Sequence, residues 1–446
     1  MARELRHWLL ASTLLLAACG DDGATPPGDA SVTDADAATP TPGELRSARE
    51  RITTASEDLP ALARANVAFG IALHRAATRA GVNTVLSPYS VAVALAMARA
   101  GAVGATGAEM DAAMQTTLPT ERVHAAFNTT SLALAGRPAE ATRVDPEPTV
   151  PRPALVLNVV NDLWTQRGLT VVPAYLDTLA GYYGAGVRLL DFIGDPEGSR
   201  AAINDRVSTL TMARIPTLIP RGQITTSTRV VLTNAVYFNA RWKARFNPEA
   251  TRDTRFTRLD GSTVDAPSMT HPSMQRLPYA HGDTWEAVEL PYVGDQLAML
   301  VVMPDAGAFD GFERDLSATR YDAIVGALST RLVNLHLPRF TVRLPTLLGD
   351  PLRALGMRLA FTDAADFTNL TVREPLKISE VIHEGFIDVT EAGTEAAAAT
   401  AVVFVDGGVG PDFVSLSVNR PFYYFIRDRG TGALLFIGRV VDPTAR

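Results

Sequence analysis

The segment Glu391-Ala392-Gly393-Thr394-Glu395-Ala396-Ala397-Ala398-Ala399-Thr400-Ala401 constrains this chain most, because it joins a strand-like approach to side chains that are almost all small. Read from Thr394, alternate positions hold Thr394, Ala396, Ala398 and Thr400. No large or charged member of that set would resist entry into the middle of a sheet at period two. Consecutive alanines also suit a surface helix or a linker, so the flanks decide. Before the segment, the run from Ile378 to Thr390 sets Ile378, Ile382, Phe386 and Ile387 among polar residues, a strand pattern without proline. After it, Val414 to Ile426 and Ala433 to Pro443 read as strands again. A strand, a long loop able to move and two terminal strands form an order that an ordinary Ala-rich linker does not produce.

The N-terminus addresses location. Arg3, Arg6 and His7 precede an apolar run from Trp8 to Ala18, too short to span a bilayer but suited to a signal peptide. The single cysteine of the chain, Cys19, closes Leu16-Ala17-Ala18-Cys19, which has the pattern of a bacterial lipobox. By that resemblance, residues 1–19 are a lipoprotein-type signal and Cys19 is the lipid attachment point, so an exported protein is expected, displayed on an outer membrane or cell surface, or otherwise periplasmic or secreted. The rest of the chain has no thiol and no disulfide, and its fold must rest on its core. Residues Gly20 to Gly43 are rich in Asp, Ala, Thr and Pro and read as a disordered tether. With the globule beginning at Asp58, the tether is assigned to residues 20–57.

From Asp58 to Arg446 the chain reads as one globular unit. A hydrophobic fraction of 47% over the whole chain permits a large core, and with no second linker the unit is one big domain or two tightly joined ones. Net charge is -7. Lys243 and Lys377 are the only lysines, and the arginines are scattered, so no basic stripe points to nucleic acid. Helical periodicity is present over Leu59–Arg79, Tyr89–Arg99, Glu121–Ala135 and Ser199–Met212, and strand-like runs dominate from Arg229 onward. Helices early and strands late predict an α+β fold. The Pro-rich stretch Arg137 to Pro153 reads as a surface insertion.

The small-residue segment resembles the reactive-loop hinge of serpins, and other motifs extend the resemblance over nearly the whole globule. Asn66-Val-Ala-Phe69 is similar to the opening of the first serpin helix, and Asn83 to Ser90 with Ala94-Leu-Ala-Met97 and Gly101 to Thr106 to the segment entering the second and third. Thr233 to Trp242, with Phe246, Thr254 and Phe256, resembles the central strand of the family's main sheet and the turn after it. Pro338-Arg-Phe340, Leu355-Gly356, Phe361 and Ala365-Asp-Phe367 continue the pattern. From the residues alone, Ser87 before Pro88 is a helix start.

The resemblance implies a serpin domain over 58–446 with a reactive-centre loop over about 391–413. Its hinge would comprise Glu391, Gly393, Thr394, Glu395, Ala396, Ala397, Ala398, Ala399 and Thr400. Ser87, Ser90, Asn234 and His383 would form a polar cluster beneath the point where the main sheet opens. Trp242 would lie near its top, where insertion begins. The implied function is inhibition of a serine protease by suicide trapping with loop insertion. A non-inhibitory binding or carrier serpin is the alternative, as is inhibition of a cysteine protease. Ala392 departs from the acidic residue that many inhibitors carry. In family register the reactive bond is Gly407–Gly408, with Phe404, Val405 or Asp406 as alternatives within a residue or two. No Arg or Lys lies between Thr394 and Phe413, which disfavours a trypsin-like target and favours chymotrypsin-, elastase- or subtilisin-like ones. Thr394 is expected to be the first side chain to enter the sheet and to be reached by solvent before cleavage.

Enzymatic motifs are lacking. The histidines are not paired at metal-site spacings, and there is no Gly-x-Ser-x-Gly, His-Glu-x-x-His or Walker pattern, with Gly101, Gly104 and Gly107 followed by no Lys-Ser/Thr. No catalytic residue, metal or cofactor is implied, and a monomer is expected.

Overall fold

The computed structural model describes residues 43–144, 154–394 and 413–445. In the N-terminal half, β1 (Glu44–Leu45) is followed by α1 (Leu59–Ala77), β2 (Thr84–Leu86), α2 (Pro88–Arg99), α3 (Gly104–Ala113), α4 (Thr120–Val144), β3 (Leu155–Gln166), α5 (Pro173–Tyr183), β4 (Val187–Leu190) and α6 (Pro196–Leu210). Local chemistry sets the boundaries. α2 opens at Ser87, whose hydroxyl accepts from the Ser90 N–H, with Pro88 at the first helical position. α6 opens at Asp195, whose carboxylate accepts from the Gly198 N–H at 2.8 Å. α5 stops at Gly184, left-handed at φ 61°.

Two expectations are corrected here. The proline-rich stretch is not an insertion from Arg137: residues 137–144 continue α4 through Pro138. A proline costs the helix a hydrogen bond, and tertiary contacts compensate, since Arg137 pairs with the buried Asp428 at 2.7 Å and Ala141 is in the core. Residues 145–153 lie outside the described residues. The tether does not extend to residue 57 either. β1 pairs antiparallel with β4, Ile52 N–H donates to Gly181 O at 2.8 Å, and Arg51 reaches Asn128 and Ser131 on α4.

The C-terminal half is strand-rich. It runs β5 (Val230–Arg241), β6 (Arg252–Thr257), β7 (Thr263–Thr270), β8 (Gln275–Gly282), β9 (Trp285–Pro291), β10 (Leu297–Pro304), α7 (Phe309–Asp315), α8 (Ala318–Ala327), β11 (Ser329–Pro338), β12 (Phe340–Leu347) and α9 (Gly349–Ala354). It closes with β13 (Glu380–Val389), β14 (Gly393–Thr394), β15 (Phe413–Ser417), β16 (Phe422–Asp428) and β17 (Leu434–Val440). The fold is α+β, as the sequence indicates.

Among the described residues the main sheet is seven-stranded, in the order β1-β4-β3-β5-β14-β13-β12, with β5 also pairing directly with β13. Most of its neighbours are antiparallel, but β3 and β4 run parallel, and so do β5 and β13. A ten-stranded second sheet supplies much of the large core, together with α1 and α2. Every residue of β5 is buried, because the sheet is covered on both faces. One face, carrying Asn234 and His383, rests on the start of α2. On the other, Ile203 and Val207 of α6 and Ile215, Leu218, Ile219 and Ile224 after it pack against Val160, Trp164, Val231, Ala235 and Ile382 in a separate apolar cluster.

Candidate functional site

The site lies along the seam between β5 and β13. Their parallel pairing runs from Val231 opposite Glu380 to Val236 opposite Gly385. Above that point the strands part, and β14 sits between them, Thr394 opposite Val389 on one side and Ala240 on the other.

At the paired part of the seam, the structure brings Ser87, Ser90, Asn234 and His383 together. His383 Nε2 accepts from the Ser87 N–H at 3.1 Å, and its Nδ1 faces the Asn234 side-chain oxygen. Asn234 Nδ2 donates to Ser90 Oγ, and the Asn161 amide on β3 packs against both. All four sequence-derived residues are at or below 1% exposure, so burial, which lowers the pKa of His383 to about 3, keeps the ring neutral. With Nε2 accepting, the ring proton belongs on Nδ1, donated to Asn234. The cluster thus bonds β5 to β13 and both to α2.

At the top, Trp242 bonds to the backbone on either side of Glu391. Its indole N–H donates to Thr390 O at 2.9 Å and its backbone N–H to Ala392 O at 3.1 Å. The indole stacks on Tyr292, centroids 4.5 Å apart and planes 11° off parallel. The Tyr292 hydroxyl is 2.7 Å from Thr394 Oγ1. Gly393 lies so close to β5 that a Cβ there would be 2.1 Å from Ala240 O, which excludes other residues from this rung. The Glu391 carboxylate accepts from Arg339 Nε and Nη2 at 2.9 and 2.6 Å and from Thr251 Oγ1 at 2.6 Å. Burial alone would raise its pKa, but these bonds outweigh it and hold the carboxyl below its ordinary value.

Thr394 corrects one expectation. It is 0% exposed and already occupies a core-facing rung, so solvent does not reach it in this structure. Glu395, Ala396, Ala397, Ala398, Ala399 and Thr400 lie outside the described residues, as do Cys19 and the candidate cleavage positions Phe404, Val405, Asp406, Gly407 and Gly408. Sequence reading missed Tyr292, Arg339, Thr251 and Asn161, whose partners are distant in the chain. It also missed Glu384, 0% exposed on the α6 side of the seam, where Arg343 reaches one carboxylate oxygen and burial pushes the pKa up. Among the described residues no group of His, Cys, Asp and Glu is arranged to hold a metal.

A family model described as serpin (serine protease inhibitor) matches residues 64–443. An uncharacterized serpin-like protein of Thermococcus kodakarensis is 35% identical over 363 residues, 81% of each chain. The leukocyte elastase inhibitor of Sus scrofa is 31% identical over 397 residues, covering 86% of this chain and 99% of that one. The crystal structure of the thermophilic serpin tengpin in its native state superposes with a TM-score of 0.77 at 25% identity, covering 89% of this chain and 97% of that one.

Proposed function

This chain belongs to the serpin family, and from that premise we propose that it inhibits a serine-class endopeptidase by acting as a suicide substrate. The observation that carries the reading is the seated start of the hinge, Gly393 and Thr394 already paired between β5 and β13. Continuing the same antiparallel register would bring Thr400 level with His383 on one side and Asn234 on the other. Its hydroxyl would then enter the cluster that now bonds the two strands directly, replacing the His383–Asn234 contact rather than leaving either group unpaired. Between Thr394 and Thr400 the core-facing positions are Ala396 and Ala398, which enter without overpacking.

In this reading the protease serine oxygen attacks the carbonyl of the reactive residue, Gly407 in family register. The peptide bond to Gly408 breaks, the new amine leaves with a proton, and the enzyme is held as an ester. The freed hinge adds as a strand, and the attached protease is carried away and distorted before water hydrolyses the ester. The driving energy is stored in the uncut fold, a kinetic trap relative to the inserted state.

Incubation with chymotrypsin-, elastase-, subtilisin- and papain-like proteases, read on a denaturing gel and by mass spectrometry of the released peptide, tests this. The expected product is a covalent complex with a serine protease and a cut within Phe404–Gly408. A covalent product with the papain-like enzyme alone moves the target class. Cleavage without any covalent product favours the binding or carrier reading. We also propose export as a lipoprotein through Cys19, on the lipobox-like Leu16-Ala17-Ala18-Cys19.

A further inference from the structure

The chain leaves α6 through two consecutive left-handed residues that are not glycine, Met212 at φ 51° and Ala213 at φ 58°. Helices commonly end on one such residue, usually glycine, because a side chain there crowds the backbone. Packing does not account for the choice: Met212 is 55% exposed and Ala213 is also at the surface. Such strain persists only where the surroundings over-determine it.

Two devices do so here. Before the corner, Thr211 Oγ1 donates to Val207 O at 2.7 Å and accepts from the Ile215 N–H at 3.2 Å, fixing the turn. After it, the Asn204 side chain clasps Ile219, accepting from its N–H at 2.8 Å and donating to its carbonyl at 3.0 Å. The clasped segment bears Ile215, Leu218 and Ile219, fully buried members of the cluster that lies across Val231 and Ala235 on β5 and Ile382 on β13. A strand entering between β5 and β13 separates those seats. The polar ties of the cover include Asn158 to Leu210 O and Asp162 to Arg206, both from β3, so the β13 contact is the one to part first.

We propose that Met212–Ala213 is a loaded corner: its backbone strain, held in by Asn204 and Thr211, is released when the segment after α6 lifts from the seam, lowering the work of opening it. The proposal rests on the insertion reading for its use, but not for its first test. In the full-length uncut protein, M212N/A213N replaces both residues with one that tolerates the left-handed region. Amide hydrogen exchange over residues 214–224 is expected to slow by about tenfold, and Asn204→Ala to speed it by a similar factor. In the second arm the loop is cut and the rise in thermal unfolding temperature is followed in time. The parent should gain it faster than M212N/A213N. If the parent never gains it, the insertion reading fails and the exchange result alone judges the corner. If the parent inserts while M212N/A213N exchanges and inserts at parental rates, the corner stores nothing and the proposal is overturned.

Discussion

Thr394 is where the uncut chain already has the contacts proposed for the inserted one. Because its side chain is fully buried against Tyr292, Thr394→Arg should act before any protease arrives. An uncompensated buried charge costs on the order of 3–5 kcal/mol, unless the hinge swings out and gives up its rung. The denaturation midpoint should fall and trapping should be lost, leaving a cleaved substrate. Thr394→Val nearly keeps the volume but leaves the buried Tyr292 hydroxyl without that partner, a cost of about 1–3 kcal/mol, and should still trap. A Thr394→Arg protein with the parental midpoint and full trapping would contradict the seated hinge. Protonation is a second residue-level effect. Burial lowers His74 and His383 to about 3 and His124 and His271 to about 4. Each folded pKa lies below the unfolded value of about 6.5, so the stability these neutral rings contribute is present above about pH 6.5 and is lost as pH falls toward 4 and 3. Glu380 and Glu384, raised by burial, work in the opposite sense around their lower values. Stability should therefore drop between pH 6.5 and 4. His271→Phe, replacing a ring stacked on Phe246 at 4.0 Å, should take up to one proton out of that slope; an unchanged slope would mean His271 is not buried neutral.

For the strands, the expected event is addition of a full rung set between β5 and β13. Cleavage within Thr400 to Val409 should raise the thermal unfolding temperature substantially, since new ladder bonds and buried area accompany the added strand; calorimetry of cut and uncut protein reads it, and no rise would mean no insertion. α1, α2, α6 and the first half of α4 were legible in the sequence, as was the strand-rich C-terminal half. α3 carried no periodicity of its own and was reached only through the family resemblance of Gly101 to Thr106; Gly107 is buried where α3 passes Arg99. The far half of α4 was hidden by Pro138, whose cost is offset by a partner, Asp428, that local pattern cannot reveal. The polar cluster was legible only through family resemblance, while Tyr292 and Thr394 meet across 102 positions, a separation no periodicity reports.

The described residues reach back to Gly43 at the sheet's edge, and what precedes them bears on where the molecule resides. If Cys19 is acylated, the full-length protein should partition with membranes and Cys19→Ser should not, because residues 20–43 carry no apolar face to hold a bilayer; equal release of both would indicate a plain secretory signal. The arrangement of strand directions also limits where a loop can go. A strand that enters by folding back on β13 runs against it, and the tight turn in which Thr390 N–H donates to Gly393 O at 2.9 Å leaves no length for a crossover. A newcomer antiparallel to both neighbours needs two neighbours that share one direction. Among the described residues the sheet offers two such places, β3 beside β4 and β5 beside β13, and of these the second adjoins β13. For the proposed insertion, strand polarity would therefore select the point of entry before any side chain is considered: a parallel pair is an adjacency that one reversed strand converts into two antiparallel ones, which are slightly the more stable per residue.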